Sequence, residues 1–384
     1  MTSTPATPPP SSPSEAQAEP QPAKSAAVKS ASGKSAAVLA IDAMSGERGP
    51  QAVVEALEII LDGEASPLGR NVYQLFGDAV RLTDLLTARP ALQDRVQIRH
   101  AAGVMPMGAT PREAMRQGPH TSLGACFDAV VKGHADVAVS AGDTVALMTL
   151  AHTMLGPVPG LRRPAIAALW PSVGPAGAAV GLDMGANLHA DPEILAQHAL
   201  LGVEYARAAL EIERPRVAVL NVGHEDTKGR SDLKEAIALL QRAQPPTAEL
   251  DGFVEADAIG FDVADVIVTD GFTGNIALKS AEGAAKLIGR YMRESFEGHW
   301  RGPLAAAGGA PALKARKTRI DPRRLNGGVF LGLGGLVVKS HGAADGVAFA
   351  SALGLASRVA RGDVAARIEG GVRQVWGGRS AETH

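Results

Sequence analysis

Short apolar runs recur along this chain, and longer helical stretches separate several of them. Val38 to Ile41, Val72 to Phe76, Val96 to Arg99, Val137 to Val139, Ile166 to Leu169, Val217 to Leu220 and Val266 to Val268 are mostly continuous rather than alternating. A strand covered on both faces reads this way, because neither side of its pleat meets water. Gln51 to Leu61, Glu193 to Leu210 and Ser231 to Leu240 carry helical patterning between the runs. Such alternation needs right-handed crossovers and places helices on both faces of a mostly parallel sheet. The expected fold is therefore α/β, three-layered and Rossmann-like. "AQPPTAE" (Ala243 to Glu249) reads as a loop, and no internal repeat is evident.

The ends of the chain differ from this body. Residues 1–36 are rich in Pro, Ser and Ala and hold no Ile, Leu, Phe, Trp or Tyr. A segment with so little apolar surface cannot offset its ordering entropy, so a disordered N-terminal tail is expected there. It has no apolar h-region and does not read as a secretory signal. Its "SGKS" lacks the first glycine of a phosphate loop, because position 28 is Val28. The α/β domain is expected over 37–365, with 366–384 a partly ordered C-terminal tail. Net charge is -2 and aromatics are 4%, which argues against nucleic acid as a partner. The single Cys126 excludes an internal disulfide and suits a reducing cytoplasm. Its apolar neighbours favour packing over a nucleophilic role. No apolar run reaches membrane-spanning length.

In open α/β sheets ligands gather at the carboxyl ends of strands, and this chain places its polar clusters there. Asp42-Ala43-Met44-Ser45-Gly46, Ser140-Ala141-Gly142-Asp143-Thr144, Asn221-Val222-Gly223-His224 and Asp270-Gly271 each follow an apolar run. These four tips are expected to share one cleft for an anion, with glycines for close approach and helix N-termini for charge. In "DGFTGNIALK", Thr273 or Gly274 is placed to begin a helix, with Asn275 and Lys279 one turn apart. The plain alternative is a capped helix with a solvated lysine. In "LGGLVVKSHGAADG", Lys339 and His341 share a face if the segment is extended, with Ser340 between them. A core histidine beside an exposed lysine is the rival there. "DMGANLHADPEIL" offers Asn187 and a cap at Asp191; in "NVGHEDTKG", Glu225, Asp226 and Lys228 compete with a solvated loop. Asp42, Asp183 and Asp270 would bind a divalent metal only if convergent, and no metal is expected. A Gly-x-Ser-x-Gly elbow is absent.

Together "AIDAMSG", "ADVAVSAGDTVALM", "DMGANLHADPEILAQHALLG", "LNVGHEDTKG", "FVEADAI", "VTDGFTGNIALKSAEG" and "LGGLVVKSHGAADGVAFASAL" resemble the bacterial phosphate acyltransferases of phospholipid synthesis. The resemblance covers Ala37 to Arg361. It departs from the family pattern at Gly142-Asp143-Thr144-Val145, usually Gly-Asn-Thr-Gly, and at Ser45-Gly46-Glu47, usually Gly-Gly-Asp.

The resemblance implies a fold similar to phosphotransacetylase and to the isocitrate and isopropylmalate dehydrogenases. It implies transfer of a fatty acyl group from acyl carrier protein to inorganic phosphate, giving acyl phosphate, with no cofactor. A cytoplasmic homodimer at the membrane surface is implied, feeding a glycerol-3-phosphate acyltransferase. On that reading Lys279, Lys339 and Lys228 hold phosphate, Asn187 or Asn275 supports the oxyanion, and His341 donates or orients. Asp42, Gly46, Thr144, Gly223, Asp270, Gly271, Thr273 and Ser340 line the substrate seat. The acidic carrier would meet "KARKTRIDPRR" (Lys314 to Arg324), and Phe296, Trp300 and Leu304 would form a tip for lipid or acyl chain. Two alternatives remain: a nicotinamide-dependent hydroxyacid dehydrogenase of the same fold, and a non-catalytic carrier-binding scaffold.

Overall fold

The computed structural model describes residues 36–62, 67–225, 227–297 and 326–376. It opens with β1 (Val38–Asp42), α1 (Pro50–Leu61), β2 (Val72–Gly77), α2 (Ala79–Thr87), α3 (Pro90–Gln93) and β3 (Val96–His100). Then follow α4 (Pro111–Gln117), α5 (Ser122–Val131), β4 (Val137–Ser140), α6 (Thr144–Leu155), β5 (Ala165–Pro171) and β6 (Ala178–Leu182). The chain continues through α7 (Pro192–Ala209), β7 (Arg216–Leu220), α8 (Ser231–Ala243), β8 (Glu249–Val254), β9 (Val266–Val268) and α9 (Gly271–Glu297). The last described elements are β10 (Gly328–Leu331), β11 (Leu336–Lys339), α10 (Gly346–Arg361) and α11 (Val364–Trp376).

All seven apolar runs are strands of one sheet, ordered β3-β2-β1-β4-β11-β10-β5-β6-β9-β7-β8. The sheet is mostly parallel, as expected. The antiparallel pairs are β10 with β11, β10 with β5, and β5 with β6. Those pairings reverse its sense midway. β1 to β5 and β11 run one way, and β6 to β10 the other. The four expected tips are therefore divided: those after β1 and β4 lie on one edge of the sheet, and those after β7 and β9 on the opposite edge. A single row of carboxyl ends is thus corrected to two.

Helices cover both faces, because successive strand residues point to opposite sides. Leu39 and Ile41 face one core with α1, α7, α8, α10 and α11. Ala40 and Ala138 face a second core with α5 and α6, joined by Leu278 of α9. Leu39, Ile41 and Leu57 are fully buried, and truncating such a residue to alanine costs about 2–5 kcal/mol. Helix starts follow ordinary capping chemistry. Thr110 and Glu113 form a reciprocal capping box at α4, with Pro111 at its first position. Asp191 caps α7 ahead of Pro192.

Several boundaries differ from expectation. α9 begins at Gly271, because Asp270 Oδ1 accepts from Thr273 N at 2.8 Å; a start at Thr273 or Gly274 is too late. The expected domain limit at 365 falls inside α11, whose Ile368 and Val372 are buried. The expected tail over 1–36 lies, save for its last residue, outside the described residues.

Candidate active site

Three loops interlock at the edge where β1, β4 and β11 end. Asp42, fully buried, accepts from Ser122 Oγ at 2.6 Å and Ser140 Oγ at 2.7 Å. It is a strut between β1, β4 and the start of α5, with no lone pair aimed at solvent. Lys339 is in register with Ser140, and Ser340 N donates to Ser140 O at 2.8 Å. Gly46 has φ 91°, and a methyl group there would lie 2.9 Å from Ala141 Cβ and 3.2 Å from Gly342 O. Only glycine lets the first loop lie under the other two. Asn326 supports the third loop, donating to Ser340 Oγ at 2.8 Å and accepting from His341 N at 3.1 Å.

Two lysines and a histidine meet above these loops. α9 rises about 1.5 Å per residue, so Lys279 stands roughly 12 Å along the helix from Gly271. With Leu278 packed on the second core, the helix carries Lys279 from one edge of the sheet toward the end of β11. There its Nζ lies 3.5 Å from His341 Nε2 and 3.1 Å from Glu282 Oε2. His341 Nδ1 accepts from Ala343 N at 3.3 Å, which leaves the hydrogen of a neutral ring on Nε2. Two donors then face one another, an arrangement that an anion between them would relieve.

Electrostatics sharpen this reading. Burial pushes the Lys339 ammonium down to about 8, opposed by Asp143 and reinforced by Lys279. Burial, then Lys279 and Lys339, also push His341 below its usual value, favouring the neutral imidazole. Asp143 caps α6, accepting from Val145 N at 2.8 Å and Ala146 N at 3.1 Å, with Thr144 the first residue of the helix. Among the described residues Ser45 Oγ, buried between these loops near Gly142, has no hydrogen-bond partner. A buried hydroxyl left unpaired costs about 1–3 kcal/mol.

The opposite edge is organised around a second buried carboxylate. Asp183 Oδ1 accepts from Ile166 N, Gly185 N and Ala186 N, and Oδ2 from Asn187 N and Nδ2. The Asn187 amide also donates to Pro164 O at 2.7 Å, so both hydrogens of that amide are taken within the fold. Asn187 O receives Gly271 N at 2.8 Å, and a methyl group on Gly271 would lie 2.6 Å from that oxygen. The loop thus seats α9, and Gly185 rests beside Asn275. Asn275 and Thr273 are exposed on the first turns of the helix. Asp270 takes Arg230 Nη1 at 3.2 Å besides its cap.

Lys228 pairs with Glu225 at 2.9 Å on this second edge, with Gly223 packed beneath it; Asp226 lies outside the described residues. The structure therefore brings together Lys279, Lys339, Ser340, His341, Thr144, Gly46 and Asp42. It places Gly223, Lys228, Asp270, Gly271, Thr273 and Asn187 at the other edge, with Asn275 between, one turn of α9 from Lys279. Arg230 and Asn326 are participants that sequence reading passed over, while Ser45 and Asp143 were read as members of their clusters without a role of their own. A serine near a glycine carries no signal until burial shows its hydroxyl unpaired.

Asp42, Asp183 and Asp270 are each engaged by separate partners, and among the described residues no three His, Cys, Asp or Glu side chains gather as a metal site would. Cys126 is buried, and burial pushes its thiol well above the usual value, which suits packing.

The chain matches the family described as "Fatty acid synthesis protein" over residues 37–367. It is 48% identical over 332 residues to a phosphate acyltransferase of Cereibacter sphaeroides, covering 86% of this chain and 89% of that one. A phosphate acyltransferase of Roseobacter denitrificans is 44% identical over 338 residues, covering 87% and 94%. Among solved structures, a phosphotransacetylase from Streptococcus pyogenes superposes with TM-score 0.54 at 18% identity, covering 85% of this chain and 93% of that one. The EutD phosphotransacetylase from Staphylococcus aureus gives 0.52 at 16%, covering 85% and 94%. At such identity these two likenesses concern the fold alone.

Proposed function

The chain belongs to the fatty acid synthesis protein family and is an acyltransferase with phosphate as acceptor; from that premise we propose that Lys279, Lys339 and His341 seat inorganic phosphate beside a fatty acyl thioester. The observation that carries this assignment is the approach of Lys279 to His341 beside the half-buried Lys339. The dehydrogenase alternative is not favoured by these relatives.

A phosphate oxygen attacks the thioester carbonyl carbon. A C–O bond forms, the C–S bond breaks, and the proton of the phosphate passes to the departing thiolate. Acyl phosphate and free thiol result. The dianion needs no strong base, so the protein's task is to hold its charge and the developing oxyanion with preorganised donors. Lys279 and Lys339 supply charge, and Nε2 of neutral His341 donates. Asn275 is the amide free to reach the oxyanion, since Asn187 is committed to Asp183 and Pro164. Lys228, held by Glu225 on the other edge, takes no part.

The test mixes purified chain, a long-chain acyl thioester of acyl carrier protein and phosphate, trapping acyl phosphate as the hydroxamate. A no-enzyme control corrects for direct attack of hydroxylamine on the thioester. Phosphate-dependent hydroxamate is expected. Binding of the carrier without it would favour the scaffold alternative.

Protonated Lys339 is needed to attract the dianion, and its charge is lost as pH rises through about 8. The KM for phosphate should therefore climb above that pH, by up to about tenfold per pH unit. Asp143 favours the ammonium, so Asp143→Asn should move the break to lower pH. A phosphate KM flat between neutrality and pH 10 would exclude Lys339 as the anchoring cation. Ser45→Ala should leave the melting temperature unchanged or slightly raised, because its buried hydroxyl makes no hydrogen bond among the described residues.

Acyl carrier protein is the natural donor on this reading, and the basic segment 314–324 proposed to meet it lies outside the described residues, as do Trp300 and Leu304. The exposed apolar residues Phe272, Ile276, Leu287, Ile288 and Tyr291 of α9 support pairing of two copies through that helix. Among the described residues no helix is long and apolar enough to cross a membrane; cytoplasmic location with contact at the membrane surface, near a glycerol-3-phosphate acyltransferase, completes the proposal.

A further inference from the structure

Two half-exposed apolar side chains, Met107 and Val145, adjoin the cation cluster, and two more, Val104 and Met115, stand half in water on the neighbouring loop and helix. Val104 is 44% exposed, Met107 53%, Met115 49% and Val145 53%, so about half of each remains available to a ligand. The first two lie in the loop between β3 and α4. That loop is anchored, because Met105 and Ala109 insert into the second core and Ser122 N donates to Gly103 O at 2.8 Å. Met107 is thus held outside by a fixed frame. A methyl group on Gly342 would lie 3.4 Å from Met107 Cε, and Gly342 follows His341. Val145 is the second residue of α6, immediately after Thr144, and Met115 stands on α4, which packs against α6. Half-exposed apolar side chains are thus found beside Gly342, at the start of α6 and on α4, which packs against α6.

We propose that these side chains form a strip that holds the hydrocarbon tail of the acyl donor, with the thioester carbon at its Gly342 end. The proposal rests on the acyltransferase reading above, which requires an aliphatic chain to leave the reaction centre in some direction. A fatty chain suits the strip better than a second protein. Four half-exposed side chains fall well short of the roughly 800 Å² per partner of a stable protein interface, yet match a single chain whose every buried methylene is worth about 0.8 kcal/mol. Methionine, unbranched and polarizable, adapts to chains of different length and bend.

The triple variant Met107→Gln/Met115→Gln/Val145→Thr keeps volume and adds no charge, so the field on phosphate is left alone. Turnover of hexadecanoyl and butanoyl donors is compared at saturating phosphate. The ratio of kcat/KM for the long donor to that for the short one should fall about tenfold, equivalent to 1.4 kcal/mol. A ratio within twofold of the parent chain overturns the proposal. So does an equal loss on both donors, which would assign the patch to carrier contact, or a change in oligomeric state, which would assign it to a second copy. Displacement of a fluorescent hexadecanoic acid probe gives an independent reading: the triple variant should bind it at least tenfold more weakly. If the parent chain forms no acyl phosphate from any donor, the acyltransferase reading fails, while the probe still decides whether the strip takes an aliphatic tail.

Discussion

Lys339→Met lowers kcat/KM for phosphate by about 10²–10³-fold, the usual effect of removing one preorganised donor from a site where charge develops. The same change should make the protein melt higher. At neutral pH the ammonium is protonated in both folded and unfolded chains, and the folded state bears its desolvation, which is why burial pushes it down to about 8. Methionine fills similar space without that cost. Below about pH 8 the parent chain carries the full penalty; between there and the ordinary lysine range its folded state sheds the proton first, and the penalty fades. The difference in melting temperature between variant and parent should accordingly shrink as pH is raised from 7 to 10. A variant that loses stability and keeps its phosphate affinity would show Lys339 to be a packing residue.

The second large effect concerns folding. Asp183→Ala removes a fully buried carboxylate that takes five hydrogen bonds from the 164–187 region. Each buried donor left without a partner costs about 1–3 kcal/mol, and the values do not simply add because the loop can admit water. A loss of at least ~3 kcal/mol is expected, lowering the melting temperature by about 5 °C or more. Activity should fall further than stability, because this loop seats α9: Asn187 O holds Gly271 N, and Gly185 rests on Asn275. Tilting α9 moves Lys279 away from His341. Asp183→Asn keeps the shape but sets an amide NH2 where an oxygen accepts, and should lie between the two. An alanine variant melting within a degree of the parent would refute this account of the loop.

The sheet was legible where its strands are buried on both faces. The run from Val137 to Val139 has no other use for three consecutive valine and alanine side chains. β8 was hidden because Asp251 and the left-handed Gly252, φ 80°, interrupt it with a register shift. β10 and β11, four residues each, share a glycine-interrupted stretch whose apolar residues do not separate into two runs. Their pairing reverses the sheet, and pairing partners are not written in local composition. Hence the polar clusters could be placed at strand ends, yet not on the correct edge.

The candidate site was legible to a similar depth. Lys279, Lys339 and His341 stand out as polar groups following apolar runs, and they do meet. Asn187 has the same local signature and a different duty, because its partners Pro164 and Asp183 are brought to it by tertiary contact. Asn326 and Ser45 show the converse. What marks them is the set of bonds that Asn326 makes and the bond that Ser45 lacks among the described residues, neither of which leaves a trace in spacing.

The claim that the β11 edge cradles phosphate is tested most directly by calorimetric titration of the purified chain with inorganic phosphate and no acyl donor. The account predicts saturable binding at one site per chain, weakening as pH passes about 8 and abolished in Lys279→Met/Lys339→Met. Undiminished binding in that folded double variant would contradict it.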